Sequence, residues 1–96
     1  MTNAINSIHH YPDITQSDRL YARATGLIPA YTQVLAKGPT QYVQGVAPKY
    51  LRSGQGTHVW DVDGNKYIDF NMGVGPISLG YGYKSIDEAI KHQLKD

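Results

Sequence analysis

Leu20, Ala24, Leu27 and Ile28 recur at helical spacing and predict an amphipathic helix over Ser17–Ile28, with Tyr21 at the edge of its apolar face. Thr15 and Ser17 offer N-cap oxygens, and Asp18 puts a negative charge in the first turn. Pro29 closes the helix by forcing the residue before it out of the helical region. Arg19 and Arg23 lie four apart on what reads as a solvated side. Ahead of the helix, Met1–Gln16 is polar, with isolated isoleucines and no period, and reads as a flexible N-terminal tail. The adjacent pair His9–His10 points two ways in any regular element and has no carboxylate cluster nearby, so it reads as solvent-exposed rather than metal-binding.

Ala30–Pro48 shows neither a helical nor a strand period, and Gly38–Pro39 and Gly45 punctuate it. A loop this long is uncommon inside a compact domain and is expected to lie over a surface or cleft that another part of the protein provides. Tyr50–Arg52 then reads as a short strand, followed by a turn at Gly54–Gly56. Thr57–Val62 alternates, with Val59 on the face opposite His58 and Trp60. Asp63–Gly64–Asn65 is a hairpin signal, and Lys66–Phe70 is the returning strand. The result is a three-stranded antiparallel meander, which must bury one face against something.

Asp61–Asn65 superficially resembles a calcium loop. Its glycine comes two positions early for that geometry, however, and Met72 stands where a bidentate acid belongs. The glycine-rich stretch from Asn71 to Tyr83 lacks the spacing of a dinucleotide or P-loop and reads as a tight packing or substrate-facing loop. Ser85–Glu88 then makes a capping box, and Ile86, Ala89, Ile90 and Leu94 define a second amphipathic helix running to Asp96. With no glycine cap, proline or return strand after it, the pattern predicts a longer protein.

Composition narrows the classes. The 96 residues hold nine basic and eight acidic side chains for a net charge of +1, which leaves no electrostatic footprint for nucleic acid or an acidic membrane. There is no cysteine, hence no disulfide framework, thiol nucleophile or thiolate metal site. No basic-then-apolar leader is visible, and the longest uncharged stretch is too rich in glycine to span a bilayer. A soluble, cytoplasmic chain is the expectation.

The string Gly56-Thr-His-Val-Trp-Asp-Val-Asp-Gly-Asn-Lys-Tyr-Ile-Asp-Phe70, with Gly73-Val-Gly-Pro76 and Leu79-Gly80 after it and Leu27-Ile-Pro29 before it, resembles the N-terminal region of class III aminotransferases. Within that family it is most similar to the glutamate-1-semialdehyde aminomutase branch and its aminotransferase-like relatives. The resemblance covers Ser17–Asp96 and implies a fold class: an α+β segment (helix, three-stranded antiparallel meander, helix) of a fold-type I transferase that is α/β when complete. It also implies pyridoxal 5'-phosphate as cofactor, a homodimer or the remaining part of the enzyme as partner, and a small-molecule amino donor or acceptor, with no nucleic acid and no membrane. In the family, the active site lies at the subunit interface and the N-terminal segment lines its substrate side. The cofactor's lysine, its pyridine-pairing aspartate and its phosphate loop lie downstream. Residues 17–96 are therefore expected to be incomplete without a cofactor domain, with no catalytic and no cofactor-binding residue of their own.

The substrate-binding residues implied are Lys37, Gly73, Val74 and Gly75. The aminomutase branch commonly carries Gly-Gly after the proline, then a serine and an arginine that engage substrate. This chain has Ala30–Tyr31, Val34 and Lys37 at those places, and Val74 where the branch has a tryptophan. A lysine attracts a carboxylate as a point charge, without the bidentate fork of arginine. These departures imply a relative acting on another amino donor or keto acceptor, such as a sugar-linked one. Two further readings come from other classes: a stand-alone, non-catalytic module that binds through its tyrosines, and one half of a split enzyme. Trp60, Tyr67, Val74, Ile77 and Leu79 are expected to include side chains meant for a partner surface.

Overall fold

The computed structural model describes residues 10–96. Its elements are helix α1 (Thr15–Ala24), strands β1 (Leu51–Gln55), β2 (His58–Asp61) and β3 (Lys66–Ile68), and helix α2 (Lys84–Gln93). Between α1 and β1 the chain makes three single 3₁₀ turns, at Pro29–Tyr31, Leu35–Lys37 and Pro39–Gln41. The sheet is an antiparallel meander in the order β1-β2-β3, as the hairpin signals predict.

Helix α1 starts and stops earlier than the apolar pattern indicates. Thr15 and Gln16 belong to the helix, and Ile14 before them is buried, whereas the first nine residues of the expected tail lie outside the described residues. The helix ends at Ala24, where the Leu27 and Ile28 amides both bond to the Ala24 carbonyl and Gly26 offers little helix propensity. Ile28 is extended (φ −126°, ψ 116°), as a residue before proline must be. The face that packs runs through Ser17, Tyr21 and Ala24, while Leu27 is 68% exposed. Neither Thr15 nor Ser17 caps the helix with its hydroxyl; Asp13 accepts the Thr15 amide at 2.9 Å, and Asp63 of the hairpin accepts those of Gln16 and Ser17.

The strands also differ in their ends. Gly54 belongs to β1 and pairs with Val59, so the first turn shrinks to Gly56–Thr57, between the paired Gln55 and His58. The Tyr81 ring lies so close over Gly54 that a Cβ there would meet it at 2.6 Å. A glycine read as a turn residue is in fact a packing residue. Strand β3 runs to Ile68, and the Asp69 amide adds one further in-register bond to the Thr57 carbonyl at 2.8 Å before the chain enters the glycine-rich loop. The capping box expected at Ser85–Glu88 is absent: Tyr83 is the N-cap of α2, and no side chain caps it.

Asp61 is the hub of the hairpin. It is fully buried, and its carboxylate accepts the Asp63 and Asn65 amides at 3.0 and 2.7 Å on one oxygen. The other oxygen accepts the Asn65 side-chain amide and the Tyr67 hydroxyl, each at 2.9 Å. Burial, then the hydrogen bond and charge of Asp61, push the Tyr67 phenol well above its ordinary value. Both oxygens are thus saturated by donors, the role of a turn residue rather than of a calcium ligand.

The apolar core is small. Ile14, Ala24 and Val59 are its buried members, while Phe70 is 91% and Leu94 80% exposed. The Cα radius of gyration, 15.6 Å, exceeds the ~13 Å typical of a compact domain this long. Of the side chains expected to await a partner surface, Val74 and Leu79 are exposed and Trp60, Tyr67 and Ile77 are half-buried. No helix among the described residues is long and apolar enough to cross a membrane.

Candidate functional site

The aperiodic segment after α1 and the glycine-rich loop after β3 face each other over the sheet and enclose a groove of about 710 Å³. One wall carries Tyr31, Lys37 and Tyr42; the other carries Asn71, Gly73 and Ile77; Val59, Tyr67 and Tyr81 contribute from between them. The aperiodic segment thus lines a groove of its own chain, rather than only covering a cleft provided elsewhere. Tyr21 anchors the first wall: the Tyr31 ring meets it edge-on at 5.0 Å, and Lys49, which pairs with Asp18, sits 5.8 Å from the Tyr21 ring. The Tyr50 hydroxyl also lies at this groove, buried and with no hydrogen-bond partner among the described residues.

The second wall is held by Asp69. One oxygen accepts the Asn71 and Met72 amides at 2.8 and 3.0 Å; the other accepts the Tyr81 hydroxyl at 2.5 Å. Tyr81 in turn exchanges two backbone hydrogen bonds with Gly56, both 2.8 Å. Both ends of the glycine-rich loop are thereby tied to one carboxylate. Burial opposes the charge on Asp69, but the bonds from Tyr81, Met72 and Asn71 outweigh it and hold the carboxyl below its usual range. Burial, then the bond to and charge of Asp69, push the Tyr81 phenol up to about 12.

Between these ties the backbone runs through four successive left-handed residues: Met72 (φ 50°), Gly73 (68°), Val74 (66°) and Gly75 (103°). A β-branched residue in that region is strained. The same holds at the first wall, where Ala30 (φ 56°) and Tyr31 (φ 63°) are both left-handed.

Of the four residues implied by resemblance, Lys37 and Gly73 line the groove from opposite walls. Val74 is 56% exposed, and neither it nor Gly75 lines the groove. Sequence reasoning missed Asn71, Tyr42, Asp69 and Tyr81. The one available signal was Asp69, an acid at a strand end two residues before a loop residue, where such side chains accept backbone amides.

Among the described residues, the paired lysines and the lysine that lines the groove do not by themselves make a site for pyridoxal phosphate. Lys49 is paired with Asp18, Lys91 with Glu88, and Lys66 lies 5.4 Å over the Trp60 ring. Lys37 lines the groove, but with no run of helix-terminal amides beside it to take a phosphate.

No protein-family model matches the chain. It is 37% identical over 83 residues to a 3-aminobutyryl-CoA aminotransferase of Cloacimonas acidaminovorans, a match covering 86% of this chain and 20% of that protein. It is 35% identical over 87 residues to a glutamate-1-semialdehyde 2,1-aminomutase of Chloroflexus aggregans, covering 85% of this chain and 20% of the relative. Among solved structures, a transaminase with pyridoxal phosphate bound superposes with a TM-score of 0.73 at 32% identity, over 88% of this chain and 19% of that one. The FumI protein of Sphingopyxis sp. MTA144 superposes with a TM-score of 0.70 at 30% identity, over 82% of this chain and 19% of its own. The chain thus spans about a fifth of the length of the curated relatives it matches. In sequence and in fold alike, these 96 residues match one part of a class III, pyridoxal-phosphate-dependent aminotransferase.

Proposed function

We propose that this chain is the N-terminal, substrate-side and dimer-interface segment of a cytoplasmic, homodimeric aminotransferase or aminomutase. In that enzyme it shapes the approach to a cofactor held by residues outside these 96. The observation that supports this most is the groove: a cavity of about 710 Å³ with Lys37 on one wall and Gly73 on the other, in a segment matching pyridoxal-phosphate enzymes. That volume suits a small amino donor or keto acceptor. Lys37 supplies a cation for a carboxylate or other anionic group. The tyrosines give flat, amphipathic walls that exclude water while offering hydroxyls to polar substituents. The backbone of Gly73 permits close approach. Pyridoxal phosphate, when bound, supplies the electron sink for amino-group transfer. The chain's own residues bind and orient, and none of them moves the reacting proton.

The test is to express the whole reading frame that carries these residues, load it with pyridoxal phosphate, and measure amino-group transfer from a panel of amines to 2-oxo acids. Transfer whose KM rises in Lys37→Ala while kcat holds supports the reading. A protein that takes up no cofactor and behaves as a self-sufficient monomer overturns it in favour of a binding module.

A further inference from the structure

Asn71 spans the groove. Its side-chain amide nitrogen donates to the Tyr42 hydroxyl at 2.6 Å, and that hydroxyl donates onward to the Ala36 carbonyl at 3.3 Å, next to Lys37. Its side-chain oxygen accepts the Val74 amide at 2.7 Å within the glycine-rich loop that carries Asn71 itself, an amide the Asn71 carbonyl also accepts at 2.9 Å, and its own amide is held by Asp69. One side chain therefore contacts the strained Met72–Gly75 turn with its oxygen and the Leu35–Lys37 turn, through Tyr42, with its nitrogen. Among the described residues, no other hydrogen bond joins these two walls. The first wall, three 3₁₀ turns with no ladder, is otherwise held by the Tyr21–Tyr31 ring contact and by the bonds of Gln44 to the Pro39 and Tyr42 carbonyls.

We propose that Asn71 and Tyr42 form a clamp that sets the separation of the groove walls, and thereby which substrate the groove admits. Asn71 is a positioning residue here. The substrate role rests on the function proposed above, whereas the coupling of the walls does not. An amide suits the task because it donates to one wall and accepts from the other at once. An aspartate has no donor for Tyr42, and a glycine or valine there leaves both walls unlinked.

The coupling is tested in the whole protein that carries these 96 residues, by residue-resolved hydrogen exchange in Tyr42→Phe and Asn71→Leu. Tyr42→Phe leaves every bond within the glycine-rich loop in place. Even so, it should speed exchange of the Val74 amide, across the groove, by about threefold or more, since one net hydrogen bond is lost from the clamp. Asn71→Leu should do the same to the Lys37 amide on the first wall. The Asp63 and Asn65 amides, held by Asp61, should be unchanged in both variants and report an intact fold. Cross-wall exchange that stays at the wild-type rate overturns the clamp, as does a wild-type chain that does not protect the Asp61 hairpin. In the loaded enzyme, Asn71→Leu should raise KM for the amino donor with kcat held; a fall in kcat at constant KM overturns the substrate role. A clamp seen by exchange in a protein without transferase activity would leave the coupling standing and remove the function proposed for it.

Discussion

The carboxylate of Asp63, at the tip of the β2–β3 hairpin, accepts the backbone amide of Ser17 at 2.9 Å and so caps helix α1 from 46 residues away in the chain. Its other oxygen accepts the Gln16 amide. Two amides that the helix leaves without intrahelical partners are satisfied, and a negative charge sits at the positive end of the helix dipole. Asn65 adds a second tie, donating its side-chain amide to the Asp13 carbonyl at 2.7 Å. The hairpin that the sequence announces most clearly is therefore also what docks the first helix.

Replacing Asp63 by alanine should cost about 1–2 kcal/mol, the cost of losing a helix cap. Asp63→Asn keeps one acceptor but turns an NH2 toward the second amide, so it should recover only part of that loss. Urea unfolding followed by circular dichroism measures both, and a loss below about 0.5 kcal/mol in Asp63→Ala, the lower limit for a cap, would show that Asp63 does not cap the helix.

Asp61→Ala should be far more damaging, about 3 kcal/mol or more, because it leaves the donors of Asp63, Asn65 and Tyr67 without an acceptor inside the fold. Denaturant midpoints of the variant against wild type decide this. A loss below 1 kcal/mol would mean that water reaches the site and replaces the carboxylate.

Ala30→Gly and Val74→Gly should stabilise the chain or leave it unchanged, against the usual effect of glycine. Each residue holds positive φ, and releasing about 1–2 kcal/mol of left-handed strain outweighs the added freedom of the unfolded chain. Thermal unfolding of the two variants checks this, and a fall in Tm in either would show that the side chain contributes more than its backbone costs.

The Asp69–Tyr81 pair predicts stability lost at both extremes of pH. Asp69 has a lowered folded pKa, so its contribution is present above the unfolded value near 4 and is lost as pH falls through the folded one. Tyr81 has a raised folded pKa, so its contribution is present below about 10 and is lost between there and about 12. Tyr81→Phe should flatten the acid limb and part of the alkaline limb of a Tm-against-pH curve, Tyr67 keeping the rest. An unchanged curve would remove the pair as a determinant.

Phe70, Leu94 and Leu35 are 91%, 80% and 73% exposed, and covering each is worth about 1.5–3 kcal/mol. The isolated chain should self-associate with rising concentration and bind hydrophobic dyes. Sedimentation over a concentration series tests this against a monomer with a sharp cooperative melt, the behaviour of a self-sufficient module.

The meander, the second helix and the resemblance to pyridoxal-phosphate-dependent aminotransferases were all legible in the sequence. Strand alternation around Val59, the Asp63–Gly64–Asn65 turn and the helical spacing from Ile86 to Leu94 act within a few residues of chain, where spacing reports geometry directly. Tertiary structure alone decided which face α1 buries, since Asp63 pulls Ser17 inward and leaves the more apolar Leu27 outside. It alone put Gly54 under the Tyr81 ring, and it alone joined Tyr42 to Asn71 across the groove. Those three contacts link residues far apart in sequence and depend on side chains whose types are common in any loop. No local spacing encodes them, because the partner that gives each one meaning arrives only when the chain has folded.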